Sequence, residues 1–106
     1  MTSQKLADPP DHLSEPSKEI WQRINHKIET PGRAILLQTG LESYDRALEA
    51  REQIKMDGLT WESKNSGAVH IHPLLKVEKE SISLAVRVFI QLGLQHFEAS
   101  LEGWQP

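Results

Sequence analysis

Apolar side chains recur at helical spacing in three separate stretches of the chain, and each stretch predicts one helix. The first stretch forms a single apolar stripe along about four turns, made of Ile20, Trp21, Ile24 and Ile28. Ser14 precedes this stripe and is suited to cap a helix, while Pro16 fits a first turn whose amides have no helical partner. The pattern therefore predicts a first helix over residues 14–29, which Thr30-Pro31-Gly32 ends.

The second stretch is rich in strong helix formers, and its apolar residues repeat with helical spacing: Leu37, Leu41, Tyr44, Leu48 and Ile54. It predicts a long helix over residues 33–57, which Gly58 ends in the left-handed conformation that glycine adopts readily. Gly40 lies inside this helix, where glycine costs about 1 kcal/mol relative to alanine. The sequence alone offers no compensation for that cost.

Residues 59–72 differ in character, because two short apolar segments flank the turn-forming residues 63–67. This pattern predicts a β-hairpin or an ordered loop between two long helices. His72 precedes Pro73, and proline favours the first position of a helix while excluding its predecessor from helical conformations. A third helix is therefore predicted over residues 73–92, followed by Gly93.

The third helix is apolar on two sides. One stripe comprises Leu75, Ile82, Val86 and Phe89, and the second comprises Leu74, Val77, Ser81, Leu84 and Val88. A small chain has few residues that could cover both stripes, and exposed apolar surface generally marks an interface. We therefore predict that the second stripe contacts a neighbouring subunit through Leu74, Val77, Leu84 and Val88. The alternative is that the first helix covers the second stripe within the same chain.

The two ends of the chain differ from its centre. Residues 1–13 contain Pro9 and Pro10 and few apolar side chains, which predicts a flexible leader. Residues 94–106 carry Phe97, Leu101 and Trp104 at spacings of four and three, which is typical of a short amphipathic helix. This tail has two interpretations, a docking face for another protein and a segment that packs within its own chain.

The composition is that of one small soluble domain. The chain has 106 residues, of which 38% are hydrophobic and 25% are charged, so it is too short for two ordinary domains and too apolar for full disorder. No apolar run has the roughly 20 residues of a membrane span. We expect an all-α protein with a single helical domain over residues 14–93, in which the short β-hairpin or loop is the exception.

Candidate catalytic and ligand-binding patterns are weak throughout the sequence. The chain has no cysteine, and its glycines are too far apart in the sequence to form a glycine-rich phosphate-binding loop. His70 and His72 could form a metal pair on a strand, but no third ligand follows at a recognisable spacing. Carboxylates on the second helix alternate with arginine and lysine, as solvated ion pairs do. We predict no cofactor, no metal and no enzymatic activity.

A basic surplus occurs near the N-terminus. Residues 18–33 hold four basic and two acidic side chains, although the net charge of the whole chain is −3. The four basic residues could contact the phosphates of a DNA duplex: Lys18, Arg23, Lys27 and Arg33. The alternative interpretation is an ordinary solvated helix face.

The order of several short segments resembles the small terminase subunit of tailed bacteriophages, in the family often encoded next to an HNH endonuclease. The resemblance covers most of the chain from Pro10 to Leu94. It is carried by residues 10–14 (PDHLS), 18–21 (KEIW), Tyr44 with Ala47 and Arg51 on the long helix, 58–60 (GLT), 72–78 (HPLLKVE) and 92–94 (LGL).

The resemblance implies a non-enzymatic component of the genome-packaging motor. Members of the family form closed rings of helical hairpins, recognise viral double-stranded DNA and deliver it to the large terminase subunit, which holds the ATPase and the nuclease. The tail residues Phe97, Leu101 and Trp104 would then contact the large subunit. The resemblance also implies a location in the cytoplasm of a bacterial host rather than in the mature virion. The competing hypothesis is a helical oligomeric adaptor that binds only protein.

Overall fold

Three helices and one small β-hairpin make up the part of the chain that the computed structural model describes, which is residues 8–24, 28 and 30–93. In chain order the elements are α1 (Glu15–Ile24), α2 (Pro31–Asp57), β1 (Thr60–Glu62), β2 (Val69–Ile71) and α3 (Leu74–Gln91). The strands connect the two long helices, which pack against each other in antiparallel orientation. The predicted helix-rich class and the small hairpin between long helices are confirmed.

The start of α2 corrects the predicted boundary. The Thr30 hydroxyl accepts a hydrogen bond from the Arg33 amide at 3.2 Å, so Thr30 is the N-cap and Pro31 occupies the first turn. A Thr-Pro pair that we expected to end the first helix therefore begins the second, two residues before the predicted start. The other end agrees with the prediction, because Gly58 has a φ of 88° and its amide donates to the carbonyl of Ile54.

The first helix and the leader also differ from their predicted bounds. Ile28 is buried but lies outside α1, so the helix does not extend through it. Leu13, which we placed at the end of a flexible leader, is buried in the core, and its amide donates to the Pro10 carbonyl at 3.2 Å. A turn at residues 10–13 thus belongs to the folded domain, because removing the aliphatic side chain of Leu13 from water lowers the free energy of the folded chain.

The contact between α2 and α3 is closest at Gly40. A Cβ atom at this position would lie 3.0 Å from Val88 Cγ1 and 3.3 Å from the ring of Phe89. The absence of a side chain therefore lets α3 approach α2, which compensates for the poor helix propensity of glycine. Val88 is only 4% exposed as a result, so it belongs to the intramolecular core and not to an accessible second stripe.

The apolar core occupies one end of the molecule, which we call the α1 end. There α1 packs on α2 near the C-terminal half of α3. The large side chains of this core are Leu13, Ile20, Trp21, Ile24, Ile28, Leu37, Leu41, Tyr44, Ile82, Val88, Phe89 and Leu92.

The opposite end has almost no core. We call it the hairpin end and define it as residues 55–80, which cover the last turn of α2, the β-hairpin and the first turns of α3. His72 and Glu78 are its only buried residues, and neither is apolar. Strands β1 and β2 pair antiparallel, with Trp61 opposite His70, and all six strand residues are exposed. A two-stranded hairpin has little stability of its own, so this one needs support from the helices beside it or from another molecule.

Candidate functional site

Two of the predicted DNA-contacting residues form ion pairs on α1. The Lys18 ammonium lies 3.8 Å from Glu15, and the Arg23 guanidinium lies 3.5 Å from Glu19. The Arg23 pair is about two-thirds exposed on both sides, and such exposed pairs stabilise a fold by well under about 1 kcal/mol. The pairing reduces the positive charge of this face but leaves both cations free to exchange partners. Lys27 lies outside the described residues.

Arg33 has a structural role that the sequence pattern did not predict. Its guanidinium donates a hydrogen bond to the carbonyl of Leu92, which lies at the C-cap of α3. A cation at a helix C-terminus interacts favourably with the helix dipole and with carbonyls that lack helical partners. Arg33 therefore connects the first turn of α2 to the end of α3, and this bond to a neutral carbonyl leaves its positive charge in place.

The predicted oligomer stripe divides into accessible and inaccessible residues. Leu74 is half-buried, Val77 is 37% exposed, and Leu84 is half-buried against the core. Val88 is enclosed between the helices, as described above. The stripe is therefore most accessible near the hairpin end, where Leu74 and Val77 lie.

The hairpin end presents the largest group of exposed apolar side chains in the described structure. Five of them lie on the hairpin or directly before it, and each is about half exposed or more: Met56, Leu59, Trp61, Val69 and Ile71. Val77 continues this surface onto α3. Single exposed apolar residues are ordinary, but a group of this size on one short segment is typical of an interaction surface.

His72 fixes the base of the hairpin. Its amide donates to the Leu59 carbonyl at 2.7 Å, while its ring nitrogens lie 2.9 Å from Asp57 Oδ2 and 3.1 Å from the Leu74 amide. The Leu74 amide can only donate, so Nδ1 of His72 is unprotonated and Nε2–H donates to Asp57. Hydrogen bonds from Gln53 and then from His72 hold the pKa of Asp57 below its ordinary value.

The histidine pair considered as a metal site has other partners. The His70 ring stacks on Trp61 with ring centroids 5.3 Å apart, and the His72 ring lies nearly perpendicular to the same indole with centroids 6.5 Å apart. Within the described parts of the chain, no group of three potential ligands is close enough to hold a metal ion. The two rings therefore order the hairpin, a role that depends on partners distant in sequence.

The docking of α1 depends on a carboxylate of α2. Asp45 accepts hydrogen bonds from the Ser14 amide at 2.8 Å, from the Ser14 hydroxyl at 2.5 Å and from the Ser17 hydroxyl at 2.6 Å. The Ser14 hydroxyl in turn accepts from the Ser17 amide, which confirms Ser14 as the N-cap of α1. A negative charge beside a helix N-terminus is favourable, so Asp45 both caps and positions α1.

A second acidic residue of α2 contacts the turn before α1. Glu42 lies 2.7 Å from the His12 ring and accepts a hydrogen bond from Gln38 at 2.9 Å. These bonds, that of Gln38 first, hold the pKa of Glu42 below its ordinary value. Burial raises the pKa of the neighbouring Tyr44 hydroxyl, and the charge of Asp45 adds to the shift. All of these groups have ordinary structural partners, and none forms a nucleophile and base pair.

The tail residues Phe97, Leu101 and Trp104 lie outside the described residues, as do residues 1–7. In the described portion of the chain, no helix is both long and apolar enough to cross a membrane. No protein-family model matches the chain, and neither the curated proteins nor the solved structures contain a significantly similar one.

Proposed function

We propose that this chain is a self-associating, non-catalytic DNA-recognition subunit that regulates a phage genome-packaging motor. One observation carries the self-association: the hairpin end exposes its apolar side chains and buries only His72 and Glu78. Apolar surface of this kind gains about 25 cal/mol for each Å² removed from water. A second copy that covered the hairpin end would supply the core that this end lacks.

The packaging role and the large terminase subunit as partner come from the sequence resemblance. A ring is compatible with the architecture, because a helical hairpin with different surfaces at its two ends favours contacts between unlike faces, and such contacts can close. Repetition around a ring would also increase DNA affinity by effective concentration, even though each chain carries a net charge of −3. The proposed site of action is the cytoplasm of the bacterial host.

For DNA contact, we retain Lys18, Arg23 and Arg33, whose guanidinium also holds the end of α3. Lys27, which lies between Arg23 and Arg33 in the sequence, remains a fourth proposed contact. Phosphate contacts make binding steeply salt-dependent, whereas apolar contacts do not. The second candidate function, an adaptor that binds only protein, is favoured by the apolar character of the hairpin end and predicts salt-independent partner binding.

Self-association is tested by native mass spectrometry with a matched pair of variants. Val69 at the hairpin end and Ile35 on α2 are both 66% exposed, so an aspartate at either position enters a comparable environment in the single chain. We expect the unmodified chain to be a multimer, Val69→Asp to dissociate it and Ile35→Asp to leave it intact, because only a covered charge is costly. A monomeric unmodified chain, or equal effects of the two variants, would contradict the proposal.

DNA binding is tested by retention on duplex DNA over a salt series. Changing Lys18 and Arg23 together to glutamate should weaken retention and flatten its salt dependence. Arg46 and Arg87, changed in the same way, serve as the control because both are exposed and lie on α2 and α3 outside the hairpin end. Unchanged binding by the α1 double variant would exclude α1 as the interface, and absence of salt-dependent binding by the unmodified chain would favour the adaptor.

A further inference from the structure

We propose that residues 94–104 of one copy dock in a groove at the hairpin end of a second copy. The inference rests on the self-association proposed above and names the segment that one chain contributes to the next. The groove runs between β2 and the first turns of α3. Its lining side chains are Ile71, Pro73, Leu75, Lys76, Lys79 and Glu80, above the ring of His72.

The groove combines an apolar floor with a basic rim. Ile71 is largely exposed, and Leu75 is half-buried, so the chain itself leaves apolar surface uncovered there. On the rim, the Lys76 ammonium lies 3.8 Å from Glu80 in an exposed and therefore weak pair. Lys79 forms no ion pair with any of the residues that the structure describes. The rim can accept acidic partners.

The tail has the complementary pattern. Phe97, Leu101 and Trp104 are spaced as one face of a helix, and Glu98 and Glu102 follow the first two of them directly. The two glutamates are one turn apart, as are Lys76 and Lys79 on the rim. An amphipathic helix in an apolar groove, with charges paired along the edge, is a common mode of recognition.

The reach of the tail identifies a second copy as its source. Fourteen residues of chain separate Lys79 from Gly93, which at 1.5 Å per helical residue places Gly93 about 21 Å from the groove. Residues 94–104 span only about 16 Å as a helix, so a helical tail cannot cover the groove of its own chain. A contact between the tail of one copy and the groove of another joins unlike surfaces, which is the kind that closes rings. Binding of the large terminase subunit through the same residues would require their release.

The absence of cysteine from the chain permits a direct test by disulfide trapping. Ile71→Cys combined with Leu101→Cys should give covalent multimers after mild oxidation, resolved by non-reducing electrophoresis. Ile35→Cys combined with Leu101→Cys is the control: Ile35 lies far from the groove and beside the start of its own chain's tail, because Arg33 contacts Leu92, so this pair should give covalent multimers in a much lower yield. A disulfide within one chain from the Ile71 pair, or equal yields of covalent multimer from the two pairs, would overturn the proposal.

A charge reversal gives a second, independent measurement on the intact chain. Lys79→Glu should weaken self-association about tenfold, and adding Glu102→Lys should restore it, since both opposite charges are then exchanged. A chain that is multimeric by native mass spectrometry, yet shows no selective disulfide and no rescue, would refute tail docking and leave self-association standing. A monomeric chain would refute the proposed function itself.

Discussion

The α1 end and the hairpin end are formed by the same two helices, yet only one of them has an apolar core. At the α1 end a third helix covers α2, and the side chains of Leu37 and Leu41 have no exposed surface. At the hairpin end two three-residue strands replace that helix, and polar contacts around His72 replace apolar packing. A helical pair is thus stabilised where a third layer covers it and is available to partners where none does.

The largest expected difference between the two ends concerns stability. Leu41→Ala should lower the free energy of unfolding by about 3 kcal/mol, because it leaves a cavity in a close-packed core. Ile71→Ala at the hairpin end should change it by less than about 1 kcal/mol, because that side chain is largely exposed in the single chain. Urea unfolding at a concentration where the chain is monomeric provides both values. Similar losses at the two positions would show that the hairpin end has a core of its own.

A smaller effect is expected for the polar attachment of α1. Asp45→Ala removes the acceptor of three hydrogen bonds from Ser14 and Ser17, so it should lower the free energy of unfolding by about 1–3 kcal/mol. Glu49→Ala is the matched control, since this exposed carboxylate lies about one turn further along α2, and should cost under about 0.5 kcal/mol. The same unfolding experiment separates the two variants. If Asp45→Ala behaved like the control, the carboxylate would not be what positions α1.

The smallest effects concern one carboxylate at each end, Glu42 at the α1 end and Asp57 at the hairpin end, whose pKa values are both lowered chiefly by a glutamine. Gln53→Leu should raise the pKa of Asp57 toward 3.8 and leave the pKa of Glu42 unchanged. Conversely, Gln38→Leu should raise the pKa of Glu42 toward 4.5 and leave the pKa of Asp57 unchanged. Titration followed by NMR measures both.

The sign of the corresponding stability change follows from linkage. A carboxyl group whose pKa is lower in the folded chain stabilises the fold fully at a pH above its unfolded value, and this contribution is lost as the pH falls through the folded value. Each glutamine variant should therefore be less stable than the unmodified chain above about pH 5 and should approach it in strong acid. A glutamine variant that left both pKa values unchanged would assign the shifts to the histidines His72 and His12 instead.

The sequence predicted the elements of this fold better than their contacts. Helical spacing and the glycine at position 58 located α2 and its end, because these signals are local. Thr30-Pro31 led to a wrong predicted start for α2, since the same pair is typical both of helix ends and of helix starts. The local cost of Gly40 was visible in the sequence, but its reason, the proximity of Val88, depends on a residue 48 positions away.

The candidate site shows the same limit more strongly. The charges on α1 could be identified from the sequence, but the hydrogen bond from Arg33 to the Leu92 carbonyl could not, because it joins residues 59 positions apart. Similarly, the pairing of His72 with Asp57 follows from the antiparallel return of the chain, which no spacing rule encodes. Periodicity identifies which side chains are apolar, whereas only the folded chain determines which of them lack cover.

The turn between the two strands has a further consequence for how this architecture can diversify. Residues Lys64–Ser66 lie beyond the strands and are fully outside the core, so lengthening this turn would leave the contact between α2 and α3 unaltered. The entropy of closing a flexible loop rises by only about 0.6 kcal/mol for each doubling of its length. A short insertion here should therefore leave the fold of the single chain intact while changing the surface that the hairpin end presents to a second copy.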